Sequence, residues 1–304
     1  MGRSACLNTR NSEHRPMRLT LSFFFVASLL GVIFSYLGAI HPAGDSFAVI
    51  RLPLAGCAVF CALFLGQRTR RLIAGLTALV VIVPWGLGKT DAADGGAYSL
   101  YQKNLWMGNA DITDVAHDIL RSNADFVTLQ EVSDRNEAIF PILSADYPYQ
   151  HFCDFSERSG VAVLSKHPFV DGTQSCSRGH GLASVRVQRA GGQIWLHSVH
   201  LSWPWPYGQH RQLERLLPTL SEMEGDHILG GDFNIVPWSH TMRAIARVTG
   251  TDPLGPTQPT LWLRGWIPLS IDHVLVANGV SGLLKSRPRF GSDHQGVLAR
   301  FDAP

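Results

Sequence analysis

Three long apolar runs occupy the first 88 residues, and their lengths match the thickness of a membrane. The runs are residues 19–40, 47–66 and 72–88. The first has 22 residues without a charge, which corresponds to about 33 Å of helix. The second contains Arg51 and Pro53 near its start, where a long side chain can reach the lipid headgroups, so the charge is compatible with a span. The pattern predicts a tail, residues 1–18, followed by a three-helix transmembrane anchor, residues 19–88.

Basic residues lie on one side of this predicted membrane. Four arginines precede the first run and three lie between the second and third, whereas residues 41–46 contain none. Because positively charged loops stay in the cytoplasm, three spans place everything after Lys89 on the opposite side. In a bacterial inner membrane that side is the periplasm. A cleaved signal peptide starting at Met17 is the alternative, which the length of the first run and the two further runs disfavour.

Beyond a short polar linker, residues 89–97, apolar runs of four to eight residues alternate with amphipathic stretches. Apolar residues keep helical spacing at 112–120 and 213–220, so we expect helices lying on a sheet there. The predicted strands are 98–105, 126–130, 147–152, 161–165, 182–187, 194–201, 227–230, 271–276 and 295–301. The alternation predicts an α/β domain over residues 98–304, and nine strands require two sheets or one very large one.

Charge divides the chain at the same place. Residues 1–88 hold eight basic and two acidic residues, whereas residues 89–304 hold eighteen and twenty-two. Sequence-independent binding of extended duplex DNA normally uses a basic surface, so the acidic second segment disfavours that ligand. A hydrophobic content of 45% excludes a disordered or fibrous chain.

Acidic and amide side chains follow two of the predicted strands. Glu131 comes directly after residues 126–130, where a simple loop cap is the commoner explanation for a carboxylate. Asp232 and Asn234, within the tetrapeptide GDFN, share one face at a strand end, and the preceding glycines let another group come close. A turn cap is again the alternative, but this tetrapeptide is rare by chance.

Histidines and two more acids form a second group of candidates. His200 closes the strand of residues 194–201, where a satisfied core histidine is more common than a catalyst. His294 follows Asp293 in a polar turn, where the acid either fixes the histidine tautomer or is simply solvated. Asp272 lies inside an apolar strand and needs a partner, but the adjacent His273 points to the opposite face.

Taken in chain order, these motifs resemble the endonuclease/exonuclease/phosphatase superfamily, which has the DNase I-like fold. The motifs are Asn104, Gln130-Glu131, His200-Leu201, Gly231-Asp232-Phe233-Asn234, Ile271-Asp272-His273 and Ser292-Asp293-His294. The resemblance covers residues 98–304 and implies a four-layer α/β sandwich, with two mixed sheets flanked by helices. It also implies metal-dependent hydrolysis of a phosphodiester or phosphomonoester by attack of water.

The resemblance further implies a metal site. Glu131 would bind the metal with Asn104 beside it, and Asp232 would orient or deprotonate the attacking water. Carboxylate and amide oxygens suit a hard dication, and no cluster of Cys and His has zinc spacing, so Mg²⁺ or Mn²⁺ is expected.

Phosphate contacts follow from the same resemblance. Asn234 and His200 would hold phosphate oxygens. His294, paired with Asp293, would stabilise the pentacovalent phosphate or act as general acid or base, and Asp272 would orient a catalytic partner.

The substrate stays open at this point. The Trp- and Pro-rich segment 202–207 is expected to overhang the cleft, where its rings would stack on bases, contact acyl chains or the membrane, or pack beneath Trp262 and Trp266. Lipid-linked esters, small diesters and short nucleic acids all fit, and no obligate protein partner is inferred. A catalytically silent, membrane-anchored binding module is the alternative from another class, which the competent residue at every candidate position disfavours.

Cys153 and Cys176 are the two cysteines after residue 88. An even count on the oxidising side of a membrane favours a disulfide, and two separate buried thiols are the alternative.

Overall fold

The structure, a computed structural model, describes residues 6–65, 68–86, 96–156 and 159–302. The chain divides into two units, Met1–Leu87 and Gly88–Pro304. Most of the predicted linker, residues 89–95, lies outside the described residues. The finer division of the first unit into a tail and an anchor stays a prediction.

Helices make up the described part of the first unit: α1 (Cys6–Phe34), α2 (Ala43–Val49), α3 (Arg51–Leu65) and α4 (Arg68–Gly86). Among the described residues, the segment Pro16–Phe34 is long and apolar enough to cross a membrane, and α2 with α3 qualifies only as a pair bent by 66°. A signal sequence near the N-terminus has the same character. Three spans and their orientation therefore stay predictions.

Arg51 has partners within the first unit. Its side chain is buried and donates from Nε to the hydroxyl of Ser35 at 2.8 Å and from Nη2 to the Ser35 carbonyl at 2.9 Å. The guanidinium also lies 4.0 Å from the centre of the Tyr36 ring. Ser35 directly follows α1, so the cation sits at the negative end of that helix. Partners inside the unit therefore hold the guanidinium, and its contact with lipid headgroups stays a prediction.

Two six-stranded sheets and a small hairpin build the second unit. In spatial order the first sheet contains β13 (Gly282–Arg287), β14 (Gly296–Phe301), β1 (Tyr98–Asn104), β2 (Phe126–Val132), β4 (Ser159–Ser165) and β3 (Tyr149–Ser156). The second contains β5 (Ser175–Ser177), β6 (Leu182–Arg189), β7 (Gly192–His200), β8 (His227–Asp232), β12 (Asp272–Ala277) and β9 (Thr251–Pro253). The hairpin pairs β10 (Leu261–Leu263) with β11 (Ile267–Leu269). Pairs β1–β2 and β7–β8 are parallel and the others antiparallel, so both sheets are mixed.

Helices flank the sheets: α5 (Thr113–Ser122), α6 (Ile139–Leu143), α7 (Gln209–Ser221) and α8 (His240–Thr249). Ile119 of α5 and Leu143 of α6 are buried against the outward-facing residues of the first sheet. The inward-facing residues of both sheets, such as Val163 and Leu196, form a separate core between them. The predicted α/β sandwich of mixed sheets flanked by helices is confirmed.

A disulfide joins one edge of each sheet. Cys153 of β3 and Cys176 of β5 are bonded, with their Cα atoms 5.4 Å apart. Because β3 and β5 are the terminal strands of their sheets, the bond crosslinks the two sheets. The predicted pairing of these cysteines is confirmed.

Removing this crosslink should cost stability. We expect Cys153→Ser to lower the free energy of unfolding of the oxidised protein by about 3 kcal/mol, because the unfolded chain loses a closed loop. Chemical denaturation measures this, and reduced wild type should unfold like the variant. Equal stability of oxidised wild type and variant would contradict the expectation.

A chain of hydrogen bonds fixes two neutral histidines inside the second sheet. His227 Nε2 lies 2.8 Å from the Met223 carbonyl, which can only accept, so His227 Nδ1 accepts from His197 Nε2 at 2.9 Å. His197 Nδ1 then accepts from the Ser184 hydroxyl at 2.7 Å. Burial, reinforced by the neighbouring His227, lowers the pKa of His197 well below its ordinary value of 6.5.

Stability should therefore fall in acid. The unfolded chain takes up a proton at His197 below about pH 6.5 and the folded chain does not, so each pH unit below that value costs about 1.4 kcal/mol from this residue alone. His197→Leu is expected to flatten the pH dependence of the unfolding free energy between pH 5 and 7, whereas His210→Gln, at an exposed position of α7, should not. Identical slopes in wild type and His197→Leu would refute this account.

Candidate active site

Polar side chains from both sheets meet at one edge of the sandwich. The parallel pairs β1–β2 and β7–β8 end there, and the antiparallel strands β12 and β14 begin there. β1, β2, β7, β8 and β12 each contribute one side chain, and the loop before β14 contributes a sixth: Asn104, Glu131, His200, Asp232, Asp272 and His294. Six residues that are far apart in sequence therefore share one cleft because of strand direction alone.

Glu131 is aimed into the cleft by a local irregularity of β2. The register of β2 against β4 shifts between Gln130 and Val132, and Glu131 itself has a φ of +54°. Such a bulge turns a side chain away from the regular alternation of the strand. One carboxylate oxygen accepts from the Met107 backbone N–H at 2.9 Å, and the other accepts from Asn104 Nδ2 at 3.1 Å.

Asp232 lies at the centre of the cluster and is almost fully buried. Its Oδ1 accepts from the backbone N–H of Asn234 at 2.9 Å, and its Oδ2 accepts from Asn104 Nδ2 at 3.0 Å. Asn234 Nδ2 donates to the Leu201 carbonyl at 2.8 Å and approaches Asp232 Oδ2 at 3.3 Å. Asn234 thus orients Asp232, and both of its amide hydrogens have acceptors in this structure.

His294 is paired with Asp272. The distance from His294 Nδ1 to Asp272 Oδ2 is 2.8 Å, while the Asp293 carboxylate is 55% exposed and 4.0 Å from Nε2. Burial alone would lower the pKa of His294, but Asp272 and Asp232 raise it to about 10. The expected partner, Asp293, makes only this longer contact, because the turn leaves its carboxylate mostly in solvent, whereas Asp272 makes the hydrogen bond. Asp272 was expected to orient a catalytic partner, and its hydrogen bond identifies His294 as the candidate for that partner.

His200 faces both carboxylates from the second sheet. Its Nε2 is 3.9 Å from Glu131 Oε1 and 3.7 Å from Asp232 Oδ2. Its Nδ1 is buried without a hydrogen-bond partner among the described residues. Burial is the main reason why the pKa of His200 is lowered, so the ring is neutral at pH 7. A proton on Nδ1 would have no acceptor, whereas a proton on Nε2 faces two carboxylates. The geometry therefore favours the tautomer that carries its proton on Nε2.

The cleft fits a hard dication. Glu131 and Asp232 each offer one carboxylate oxygen, and these oxygens lie within 4.8 Å of each other and of a ring nitrogen of His200. Burial raises the pKa of Asp232 to about 8, although the facing His294 opposes this rise. The charged histidine therefore does not fully compensate the buried carboxylate, and a bound cation would do so. Asn104 turns Nδ2 towards the acids because its Oδ1 accepts from the Trp106 backbone N–H at 2.9 Å.

Lys103 fixes the loop that carries His294. Its side chain is fully buried, and its ammonium donates to the carbonyls of His294 at 2.6 Å and Arg289 at 2.8 Å. Ser292 adds a second attachment, since its hydroxyl donates to the Asn104 carbonyl at 2.9 Å. The loop position of His294 is therefore set from β1, on which Asn104 lies.

Two residues of this site were missed by the sequence reasoning. Gln102 donates to Asp272 Oδ1 at 2.9 Å and to Gln130 Oε1 at 2.8 Å. Because β1 and β12 belong to different sheets, Gln102 links the two sheets at the Asp272–His294 pair. Lys103 follows it in the same strand. The signal that could have found them is the run of three polar residues, 102–104, inside the strand predicted over residues 98–105.

Exposed aromatic and apolar side chains adjoin the cleft residues in sequence. Trp203, Trp205 and Tyr207, just after His200, are 36%, 48% and 68% exposed. Trp106 and Met107, just after Asn104, are 44% and 37% exposed. Each of these three rings therefore keeps part of its surface in solvent.

Comparison with known proteins defines the class. Residues 102–294, more than half of the chain, match the model of the Endonuclease/Exonuclease/phosphatase family. The chain therefore belongs to this family, whose members are metal-dependent hydrolases of phosphoester bonds. No curated protein matches the chain by sequence.

Solved structures agree with the fold. An endonuclease/exonuclease/phosphatase family protein from Leptotrichia buccalis has 17% identity and a TM-score of 0.54, covering 68% of this chain and 100% of its own. An AP endonuclease from Archaeoglobus fulgidus has 19% identity and a TM-score of 0.51, covering 68% and 100%. Staphylococcus aureus beta toxin, solved with bound magnesium ions, has 13% identity and a TM-score of 0.50, covering 67% and 99%.

Proposed function

We propose that this chain is a membrane-anchored phosphoesterase that uses a divalent metal and hydrolyses phosphodiester or phosphomonoester bonds by in-line attack of water. The observation that carries the proposal is the convergence of Glu131, Asp232 and the Asp272–His294 pair in one cleft. Two buried acids facing a charged histidine form a site for a metal and a phosphate, and not a structural ion pair alone.

Glu131 and Asp232 would hold Mg²⁺ or Mn²⁺. Asn104 was expected to lie beside the metal as a ligand, but its Nδ2 faces the two carboxylates, so its contacts favour a role in positioning them. A bound dication would neutralise charge on a phosphate oxygen and on the oxygen that leaves or attacks. Asp232 would orient the attacking water and accept its proton, since its carboxylate is fixed by Asn104 and Asn234.

The two histidines would act on the phosphate. His294, kept protonated by Asp272, would donate from Nε2 to a phosphate oxygen as charge builds up there. His200 would donate from its own Nε2, without a full charge. Asn234 was expected to hold phosphate oxygens directly, but its contacts favour a role in positioning Asp232.

For the substrate we propose a small or lipid-linked phosphodiester. The net acidic charge of residues 89–304 opposes an extended polyanion, and the exposed rings of Trp203, Trp205 and Tyr207 suit an apolar or aromatic group beside the phosphate. A nuclease acting on short single strands is the second candidate, because the same rings can stack on bases.

Hydrolysis of bis-p-nitrophenyl phosphate tests the activity. The full chain in detergent should release p-nitrophenol with Mg²⁺ or Mn²⁺ and lose this activity in EDTA. A panel of short DNA and RNA, sphingomyelin, phosphatidylinositol phosphates and undecaprenyl phosphates then ranks the substrates. Binding of these ligands without hydrolysis of any of them would support the silent binding module instead.

The anchor would place the cleft outside the cytoplasm, in the periplasm of a bacterium. The supporting observation is the apolar helix segment Pro16–Phe34, with seven arginines on the inferred cytoplasmic side of the runs.

Fusions at the C-terminus test this topology. We expect an alkaline phosphatase fusion to be active and a green fluorescent protein fusion to be dark, because three crossings bring the C-terminus to the oxidising side. Fusions placed after residue 68 should give the opposite result, since residues 67–71 are predicted to be cytoplasmic. A bright fluorescent fusion at the C-terminus would mean that an even number of runs span the membrane.

A further inference from the structure

Three metal-ligating atoms, one imidazole nitrogen and two sulfurs, meet where the edge strands β3 and β5 approach each other. His151 Nε2 lies 3.3 Å from Cys153 Sγ and 3.7 Å from Cys176 Sγ. His151 and Cys153 are two residues apart on β3, so their side chains leave the same face of the strand, and Cys176 reaches them from β5. This group of one imidazole and two sulfurs is called here the edge cluster.

The spacing of the edge cluster matches tetrahedral coordination. With bond lengths of about 2.3 Å to sulfur and about 2.0–2.1 Å to nitrogen, a tetrahedral zinc separates sulfur from nitrogen by about 3.6 Å and the two sulfurs by about 3.8 Å. The two observed sulfur–nitrogen distances lie on either side of the first value. The sulfurs are now bonded, and two reduced sulfurs relax to van der Waals separation, which is close to the second value.

We propose that His151, Cys153 and Cys176 form a second metal site, which takes Zn²⁺ when the disulfide is reduced. A dithiol reductant would exchange with the disulfide, becoming a disulfide itself and leaving two thiols on the chain. Zn²⁺ then binds both sulfurs as thiolates and releases two protons. His151 binds through Nε2 after giving up its 3.2 Å contact with the Ser175 carbonyl, and water occupies the fourth position.

Access and ligand type both favour this site. Cys176 is exposed while Cys153 is buried, so exchange can begin at one sulfur without unfolding the sheet. Thiolate and imidazole select Zn²⁺ over Mg²⁺, whereas the oxygen-rich cleft has the opposite preference. The two metals would therefore not compete.

The crosslink between the two sheets would thus have two chemical forms. In oxidising surroundings the bond between Cys153 and Cys176 joins β3 to β5, and in reducing surroundings a zinc ion joins the same strands. This inference does not depend on the proposed phosphoesterase activity.

Cobalt provides a direct readout, because thiolate ligands give Co²⁺ an intense charge-transfer absorption that oxygen ligands do not. The full chain in detergent would carry Cys6→Ser, Cys57→Ser and Cys61→Ser, be reduced with a phosphine and be desalted without oxygen. We expect one equivalent of Co²⁺ to produce the thiolate band and tetrahedral d–d bands, and Zn²⁺ to abolish both. The oxidised protein should show neither.

Matched variants assign the ligands. His151→Gln should weaken Co²⁺ binding at least about tenfold, which corresponds to 1.4 kcal/mol, and Cys176→Ser should remove most of the thiolate band. Glu131→Gln should leave the band unchanged, which separates this site from the cleft. Alkylation of the reduced chain provides a measurement that needs no ligand variant, because bound Zn²⁺ should protect both thiols. Absence of the band in the reduced protein, or tight binding by His151→Gln, would overturn the proposal.

Discussion

Glu131→Gln and Asp232→Asn are each expected to reduce turnover of an activated phosphodiester by about a thousandfold or more. Loss of a metal ligand or of the acid that orients the water removes several kcal/mol of transition-state stabilisation, and about 4 kcal/mol corresponds to that factor. Rates at saturating Mg²⁺, together with Mg²⁺ titrations, measure the effect. Glu131→Gln should also raise the Mg²⁺ concentration needed for half-maximal activity.

The matched control is Glu137→Gln, which removes an exposed carboxylate six positions further along the chain. It should keep wild-type activity within about threefold, as expected for a surface change. Circular dichroism and unfolding curves should show that all three variants are folded. Full activity of the wild type in EDTA would contradict the metal site as a whole.

Asp272→Asn is expected to lower turnover by about a hundredfold, whereas Asp293→Asn, only one residue from His294, should have little effect. The Asp272 carboxylate holds the His294 proton on Nδ1 and stabilises the charged ring, and an amide cannot stabilise that charge. Asp293 is mostly solvated, and charge in solvent contributes little.

Steady-state kinetics on both variants distinguish these roles. The loss in Asp272→Asn should appear in kcat with little change in KM, because the histidine acts on charge that develops during the reaction. The opposite ranking, with Asp293→Asn the more damaging, would restore the sequence-based pairing and refute the geometry described here.

Much of the second unit was predictable, because its buried strands read as short apolar runs. All nine predicted strands are present, and the two amphipathic segments form α5 and α7. The elements that were missed are short or lie at edges: β5, β9, β10, β11, β13, α6 and α8. Three-residue strands are too short to show an alternation of apolar and polar residues. β13 is an edge strand with exposed polar positions such as Lys285, so its sequence does not resemble that of a core strand.

The residues of the cleft were predictable, but their pairing was not. Sequence adjacency suggested that Asp293 partners His294. The actual partner is set by strand register: β12 runs antiparallel to β8 so that Asp272 lies directly opposite Asp232. Register depends on the whole sheet, and no local signal near His294 contains it.

Arg51 illustrates the same limit in the first unit. A cation near the start of an apolar run has two ways to avoid hydrocarbon, namely reaching the headgroups or finding partners within the helices. The choice depends on where Ser35 and Tyr36 lie in space, which the run of apolar residues does not encode.

The pairing of β1 with β14 has a consequence for when the enzyme can form. β1 is the first strand of the second unit, yet it lies between β2 and the last strand, with Tyr98 opposite Phe301. Until β14 has paired with it, β1 lacks one of its two neighbours and Lys103 lacks the loop carbonyls that surround its ammonium group. The cleft is therefore completed only when β14 and the loop before it have folded onto β1, although most of the second unit lies between them in the chain. A folding intermediate that lacks this pairing also lacks the fixed position of His294.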